Sequence, residues 1–321
     1  MFSILLITFP FFALVLCGYV AARRAWLPQA AIPGLNTFVL YFALPCMLFR
    51  FGASTPIGQL LDGSLIGVYL LCALIMVGFT IAVSRSPRIG WNDASFGALV
   101  AAFPNTGFMG VPLLVALLGA QAAGPVIVTI VVDMVITTSL CIALSQLEGA
   151  DEHGFTHAAK NALKGMLFNP LPWSILLGAL ASAASFELPK PVMQTVSLMA
   201  DAASPVALFT IGAVLARSQM LAVIHNHAPI LMRDYVPVAA IKLLVHPLLV
   251  WGVGSAAVAM GVPLNPFALT VLVLVAALPS ASNVSLLAER FGADNGRIAR
   301  IILVSTAAAF VTFSLAVTTM T

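Results

Sequence analysis

Residues 101–112 read AAFPNTGFMGVP. The stretch lies inside an apolar run long enough to cross a bilayer, yet it holds Pro104, Asn105, Thr106, Gly107, Gly110 and Pro112 within nine residues. Proline removes a backbone donor and clashes with the preceding helical turn. Glycine loosens the backbone, and Asn and Thr carry polar groups into hydrocarbon. Backbone groups freed by a break cost several kcal/mol each in lipid, so the break must face protein or a water-filled cavity. Ala94 to Phe103 is ten residues, about 15 Å of helix. That is half of a hydrocarbon core of about 30 Å, which puts Pro104 near the midplane.

The surrounding composition sets the class. Of 321 residues, 61% are hydrophobic and 8% charged, against about 25% charged in a soluble domain. Long continuous apolar runs predict an all-α polytopic membrane protein and exclude the short alternating segments of a β-barrel. A net charge of +3 without a basic run excludes nucleic acid as a partner. Cys17, Cys46, Cys72 and Cys141 lie in apolar segments without CxxC spacing and read as small core residues. Arg23 and Arg24 follow the first apolar stretch, which argues for a first span and against a cleaved signal peptide.

Ten spans are expected, near 3–22, 31–52, 60–84, 94–118, 122–147, 168–186, 191–216, 229–260, 264–290 and 296–319. On this layout Arg23, Arg24, Arg85, Arg88, Lys160, Lys164, Arg217, Arg233, Arg290, Arg297 and Arg300 fall on one side. Lys190, and Arg50 at a span end, fall on the other. The asymmetry predicts a cytoplasmic loop at 148–167 and both termini outside.

The two halves, 1–147 and 168–321, resemble each other. PCMLFRFGA from Pro45 matches PVALFTIGA from Pro205, 160 residues later; AAFP ending at Pro104 matches AALP ending at Pro279. Five spans per half is an odd number, so the repeats must have opposite orientation, the plan of secondary transporters. The ninth span then breaks at Pro279-Ser280-Ala281-Ser282-Asn283 as the fourth breaks at Pro104-Asn105-Thr106-Gly107. Symmetry makes the broken spans cross. Free N–H groups and the positive end of a half-helix suit an anion. Asn105, Thr106, Ser282 and Asn283 can replace a carboxylate's hydration shell without a formal charge. A kinked helix without a ligand is the plainer alternative for either break alone.

FPNTGFMGVPLL followed by GA resembles the fourth-span signature of the auxin efflux carrier family. LNTFVLYFALPCMLF, through Asn36, Phe38, Pro45 and Leu48, and ALPSASNVSLLAERFG resemble the second and ninth spans of that family. The resemblance implies ten helices in two inverted five-helix repeats with crossed broken helices four and nine, similar to bile acid/sodium symporter and NhaA folds. It implies a scaffold (spans 1, 2, 6, 7), a transport domain (spans 3–5 and 8–10), elevator-type alternating access and a homodimer through the scaffold. The substrate site falls on Pro104, Asn105, Thr106 and Gly107 with Pro279, Ser280, Ser282 and Asn283 opposite. Bacterial members are malonate, malate or oxalate carriers, so a small dicarboxylate is expected, malonate first; an auxin-like aromatic carboxylate is the alternative.

Ionisable groups inside spans are costly and need partners. Asp133 and Lys242 are candidates for coupling or charge compensation, with Lys242 and His246 four residues apart on one helical face; a structural ion pair is the other reading. Asp62, at a span end, can take protons or cap a helix. Asp201 is expected to bond backbone freed near Pro205. His153 and His157 have i,i+4 spacing but no further ligands, so no metal and no cofactor is expected, beyond H+ or Na+ as a coupling ion. No HExxH, GxGD pair or Ser–His set marks an intramembrane enzyme. A channel or a sensor remains the third class.

Overall fold

The computed structural model describes residues 2–55, 58, 62–146, 170–224 and 230–320, and helices make up nearly all regular structure among them. In chain order these are α1 (Phe2–Arg23), α2 (Ala31–Ser54), α3 (Gly63–Ser84), α4 (Trp91–Ala102), α5 (Thr106–Leu118), α6 (Ala120–Ser145), α7 (Pro170–Ala183), α8 (Lys190–Ile224), α9 (Met232–Ala259), α10 (Pro266–Ala277), α11 (Val284–Arg290) and α12 (Asn295–Met320). The expected loop at 148–167, with Lys160, Lys164, His153 and His157, lies outside the described residues, as do His225 and His227.

Among the described residues, six helices are long and apolar enough to cross a membrane: α2, α3, α6, α9, α12 and the Lys190–Arg217 part of α8. Shorter apolar helices are Thr8–Arg23 within α1, α5, α7 and α10. Large apolar side chains such as Phe9, Leu16, Leu198, Leu248, Trp251 and Val311 are exposed on the outer faces. Helices apolar on the outside as well as the inside suit a lipid solvent. The chain is a multi-pass helical membrane protein.

The helices pack in two groups. In the first, α1 lies along α8 and α7 along α2, with α8 also on α2. Glycines set these crossings. A Cβ on Gly18 would lie 1.9 Å from the Phe209 carbonyl oxygen, and one on Gly212 1.8 Å from that of Val15, so α1 and α8 touch backbone to backbone. A Cβ on Gly178 would lie 2.4 Å from the Phe49 carbonyl oxygen, and one on Gly52 2.9 Å from that of Ile175. Small residues let helices approach this closely in a membrane. Gly178 follows Gly18, and Gly212 follows Gly52, by the same 160 residues that separate Pro45 from Pro205.

The second group holds α3–α6 and α9–α12. One end of it is tied by polar groups. Arg297, only 2% exposed, donates from Nε to the Asp234 carbonyl (2.7 Å) and from Nη1 to that of Asp93 (2.9 Å). The Asp294 N–H donates to Asp93 Oδ1 (2.7 Å), and Arg88 pairs with Asp234 (3.0 Å). The starts of α4, α9 and α12 are thereby held together. The sequence reading counted Arg297 as a loop charge. The structure buries it instead, because carbonyls from two neighbouring helix starts supply its acceptors and Gly97 leaves it room: a Cβ there would stand 3.0 Å from Nη1.

Candidate functional site

The two broken segments meet. The fourth expected span is α4 and α5, joined through Phe103-Pro104-Asn105; the ninth is α10 and α11, joined through 278–283. Both connections are extended where they leave the first half, at Phe103 and Leu278. They lie antiparallel, with Pro104 bridged to Ser280. The Asn105 N–H donates to the Pro279 carbonyl (2.8 Å) and the Ala281 N–H to the Phe103 carbonyl (3.0 Å). Proline is tolerated at each break because the donor it lacks has no helical acceptor there, while its carbonyl stays available. Two backbone groups freed by one break thus satisfy two freed by the other.

α5 begins with a π-helical turn, Thr106–Gly110. The Asn105 carbonyl accepts from both Met109 (3.1 Å) and Gly110 (3.0 Å). Gly110 sits under α10's end, where a Cβ would come 2.8 Å from Leu278 Cδ1. On the ninth segment, the Ser280 N–H donates to Ser305 Oγ of α12 (3.2 Å). Ser305 was not legible as a site residue, since a lone serine in an apolar helix usually bonds its own backbone, as this one also does to Ile302 (3.0 Å).

A narrow cleft of about 20 Å³ opens at this crossing. Pro104, Asn105, Thr106, Gly107, Ala281 and Asn283 line it, with Leu40, Leu44, Leu48, Phe103, Phe108, Ile130, Met134 and Leu171 as an apolar wall. Asn105 is 2% exposed, yet neither its carboxamide nor that of Asn283 makes a hydrogen bond among the described residues. Each offers two N–H donors and one acceptor. Thr106 is fully buried, its hydroxyl directed to the Pro104 carbonyl (3.4 Å). Ser282 lines a second cleft instead, and Ser280 is buried with its hydroxyl unpartnered among the described residues. No cationic side chain lines either cleft among the described residues.

The remaining candidates lie elsewhere. Asp62 caps α3, accepting from the N–H groups of Ser64 (2.9 Å) and Leu65 (3.1 Å). Asp133 is wholly buried in a π-helical stretch of α6, accepting from Tyr69 Oη (2.8 Å) and Thr137 Oγ1 (3.1 Å). It is not among the residues that line the cleft, although Ile130 and Met134 are. Lys242, wholly buried in a π-helical stretch of α9, donates to the Ala276 carbonyl at the end of α10 (2.8 Å) and contacts His246 Nδ1 (2.9 Å). A cation there complements the negative end of the half-helix. No direct ion pair joins Asp133 to Lys242. Asp201 does not bond freed backbone; it pairs with Arg50 (2.7 Å), since α8 runs through Pro205 without a break and α2 presents a cation alongside.

A protein of Rhizobium meliloti (strain 1021), provisionally named a malonate transporter, is 28% identical over 298 residues, covering 92% of this chain and 89% of that one. An uncharacterized transporter of Methanothermobacter thermautotrophicus is 26% identical over 305 residues, 94% of this chain and 93% of that one. Auxin efflux carrier component 3 of Arabidopsis thaliana is 26% identical over 155 residues, 47% of this chain and 24% of that one. The family model described as membrane transport protein matches residues 4–317. A membrane transporter and not an enzyme, the chain belongs to that family, the family of the auxin efflux carriers.

Proposed function

We propose that this transporter is a secondary carrier of small organic anions, a dicarboxylate such as malonate or malate first, which binds where the fourth and ninth spans cross. One observation carries the reading. Two carboxamides without partners among the described residues, buried Asn105 and half-buried Asn283, stand on opposite segments of a backbone-paired crossing and line the same cleft. Neutral donors of this kind hold a carboxylate by several weak contacts and still release it. The relative named for malonate supports the dicarboxylate. The apolar wall, without a cation for a second carboxylate, favours a second reading: one carboxylate on an apolar body, as in an auxin-like aromatic acid.

The working architecture is ten transmembrane helices in two inverted repeats, supported by the 160-residue recurrence of Pro45, Gly18 and Gly52. In an elevator, α1, α2, α7 and α8 form the scaffold, held by glycine contacts and paired in a homodimer through its exposed apolar face. α3–α6 and α9–α12 carry the site across. Asp133 and Lys242 travel with the moving part and serve H+ or Na+ coupling or charge compensation. The bias of Lys and Arg among the loops supports an orientation with both termini outside, and the membrane proposed is a bacterial inner membrane.

The test is uptake of labelled malonate, malate, oxalate, succinate and indole-3-acetate at two pH values in vesicles. Counterflow of at least one acid is expected, and Asn105→Ala abolishes it while expression is kept. Near-normal uptake in that variant refutes the site, and conduction without saturation refutes the carrier.

A further inference from the structure

Phe108 belongs to two clefts at once. The cleft at the crossing is lined by Leu40, Leu44 and Leu48 of α2. A second, narrower cleft of about 10 Å³ is lined by Asn36 and Val39 of α2, by α8 around Thr210, and by Ser282. The two therefore follow one another along α2, the first beginning at Leu40, one residue after the second ends at Val39. Asn283 faces one and the adjacent Ser282 the other, so the ninth-span break also straddles the boundary. Phe108 is the aromatic side chain common to both linings.

Its setting is irregular. It sits in the π-helical turn directly after Asn105 and Thr106, and that turn packs against α8. π-helical turns interrupt the regular hydrogen-bond ladder and recur at functional sites. Gly107 beside it has nothing within 4 Å of where a Cβ would stand. Phe108 is buried, and its ring is the wall between two narrow clefts, on an irregular turn whose neighbour Gly107 leaves space.

We propose that Phe108 is the gate between two substrate chambers and sets the size of the acid that passes. This rests on the crossing being the substrate site, and it adds a specificity residue that touches substrate in transit. Removing the ring joins the chambers; enlarging it closes the passage without altering Asn105 or Asn283.

Initial rates for malonate and indole-3-acetate are measured in vesicles carrying the full chain, wild type and Phe108→Ala, Phe108→Leu and Phe108→Trp, beside Asn105→Ala. Phe108→Ala is expected to raise the ratio of Vmax/KM for indole-3-acetate over malonate by about tenfold or more, the scale on which a pocket discriminates small steric changes. Phe108→Leu gives an intermediate rise if the alanine variant does not fold. Phe108→Trp lowers Vmax for malonate at least about fivefold with KM nearly unchanged, the split of a kinetic barrier. Equal changes for both acids, or none, alongside a dead Asn105→Ala, overturn the gate and leave the site. A live Asn105→Ala with shifted selectivity overturns the site and leaves the gate. A readout independent of transport uses a chain without its four cysteines and with Thr210→Cys or Leu40→Cys. A charged thiol reagent is added from one side. Phe108→Ala speeds modification of whichever cysteine lies beyond the ring by about tenfold; unchanged rates at both positions overturn the proposal.

Discussion

Gly107→Ala separates folding from transport more sharply than any other change at the crossing. Apart from its chain neighbours and its own helical turn, nothing lies within 4 Å of the new Cβ, and the residue lines the cleft. Its backbone does not require a positive φ, so alanine fits. Replacing glycine in a compatible helical turn stabilises by about 0.4–1 kcal/mol, so thermal unfolding of purified protein moves slightly upward. The methyl group has only the cleft to enter. One misplaced methyl in a binding pocket costs about 1–3 kcal/mol, or about 10–200-fold in affinity, and KM for the transported acid rises accordingly. Gly107→Leu, whose larger side chain also enters the cleft, deepens the loss. The control is Gly110→Ala, three residues on, whose Cβ would meet Leu278 Cδ1 at 2.8 Å and Thr106 Cγ2 at 3.1 Å. Overpacking of that kind costs about 1–3 kcal/mol and lowers the unfolding temperature first. If Gly107→Leu folds and keeps the wild-type KM for every acid carried, the cleft at the crossing does not hold the substrate.

Three further outcomes follow from particular contacts. Gly212→Ala drives a Cβ to 1.8 Å from the Val15 carbonyl oxygen, so α1 and α8 must separate. Thermal unfolding in detergent should show a loss of about 2 kcal/mol or more, whereas Gly78→Ala, with open space around it, should show none. Tyr69→Phe removes the 2.8 Å hydrogen bond to Asp133 and should destabilise by about 1.5–3 kcal/mol, as for a hydrogen bond to a charged group; recovery in the double variant with Asp133→Asn would show that the uncompensated carboxyl is the cause. Ser305→Ala leaves the Ser280 N–H without its acceptor. It should cost about 1–3 kcal/mol and reduce Vmax, and an unaltered rate would show that the ninth-span break is held without it.

The breaks were legible because proline, glycine and asparagine stand out against hydrocarbon. Pro104, Asn105 and Pro279 announce themselves in an apolar run, and the backbone bridge between them follows from groups that lipid cannot satisfy. Asp133 and Lys242 were legible as buried charges for the same reason. Their partners were not: Tyr69, Thr137 and the Ala276 carbonyl look like any other residues of an apolar span. Phe108 carries no signal at all, since one phenylalanine among many gains meaning only from the spaces on either side. Gly18 and Gly52 recur at the spacing the prolines had already revealed, but glycine is common in membrane helices, and only backbone distances single these out. Arg297 misled because charge at a helix start usually lies in solvent, and here carbonyls from α4 and α9 receive it.

The glycine contacts carry a lesson about how such a chain can change. Gly18 and Gly52 are 34 residues apart, and so are Gly178 and Gly212. Each crossing sets a glycine of one half against a carbonyl of the other. Adding a single residue within either helix would turn its glycine aside by about 100° and bring a bulky neighbour onto that carbonyl. The interval therefore works as a ruler that each half reads from the other, and neither copy can drift in length unless its twin drifts with it.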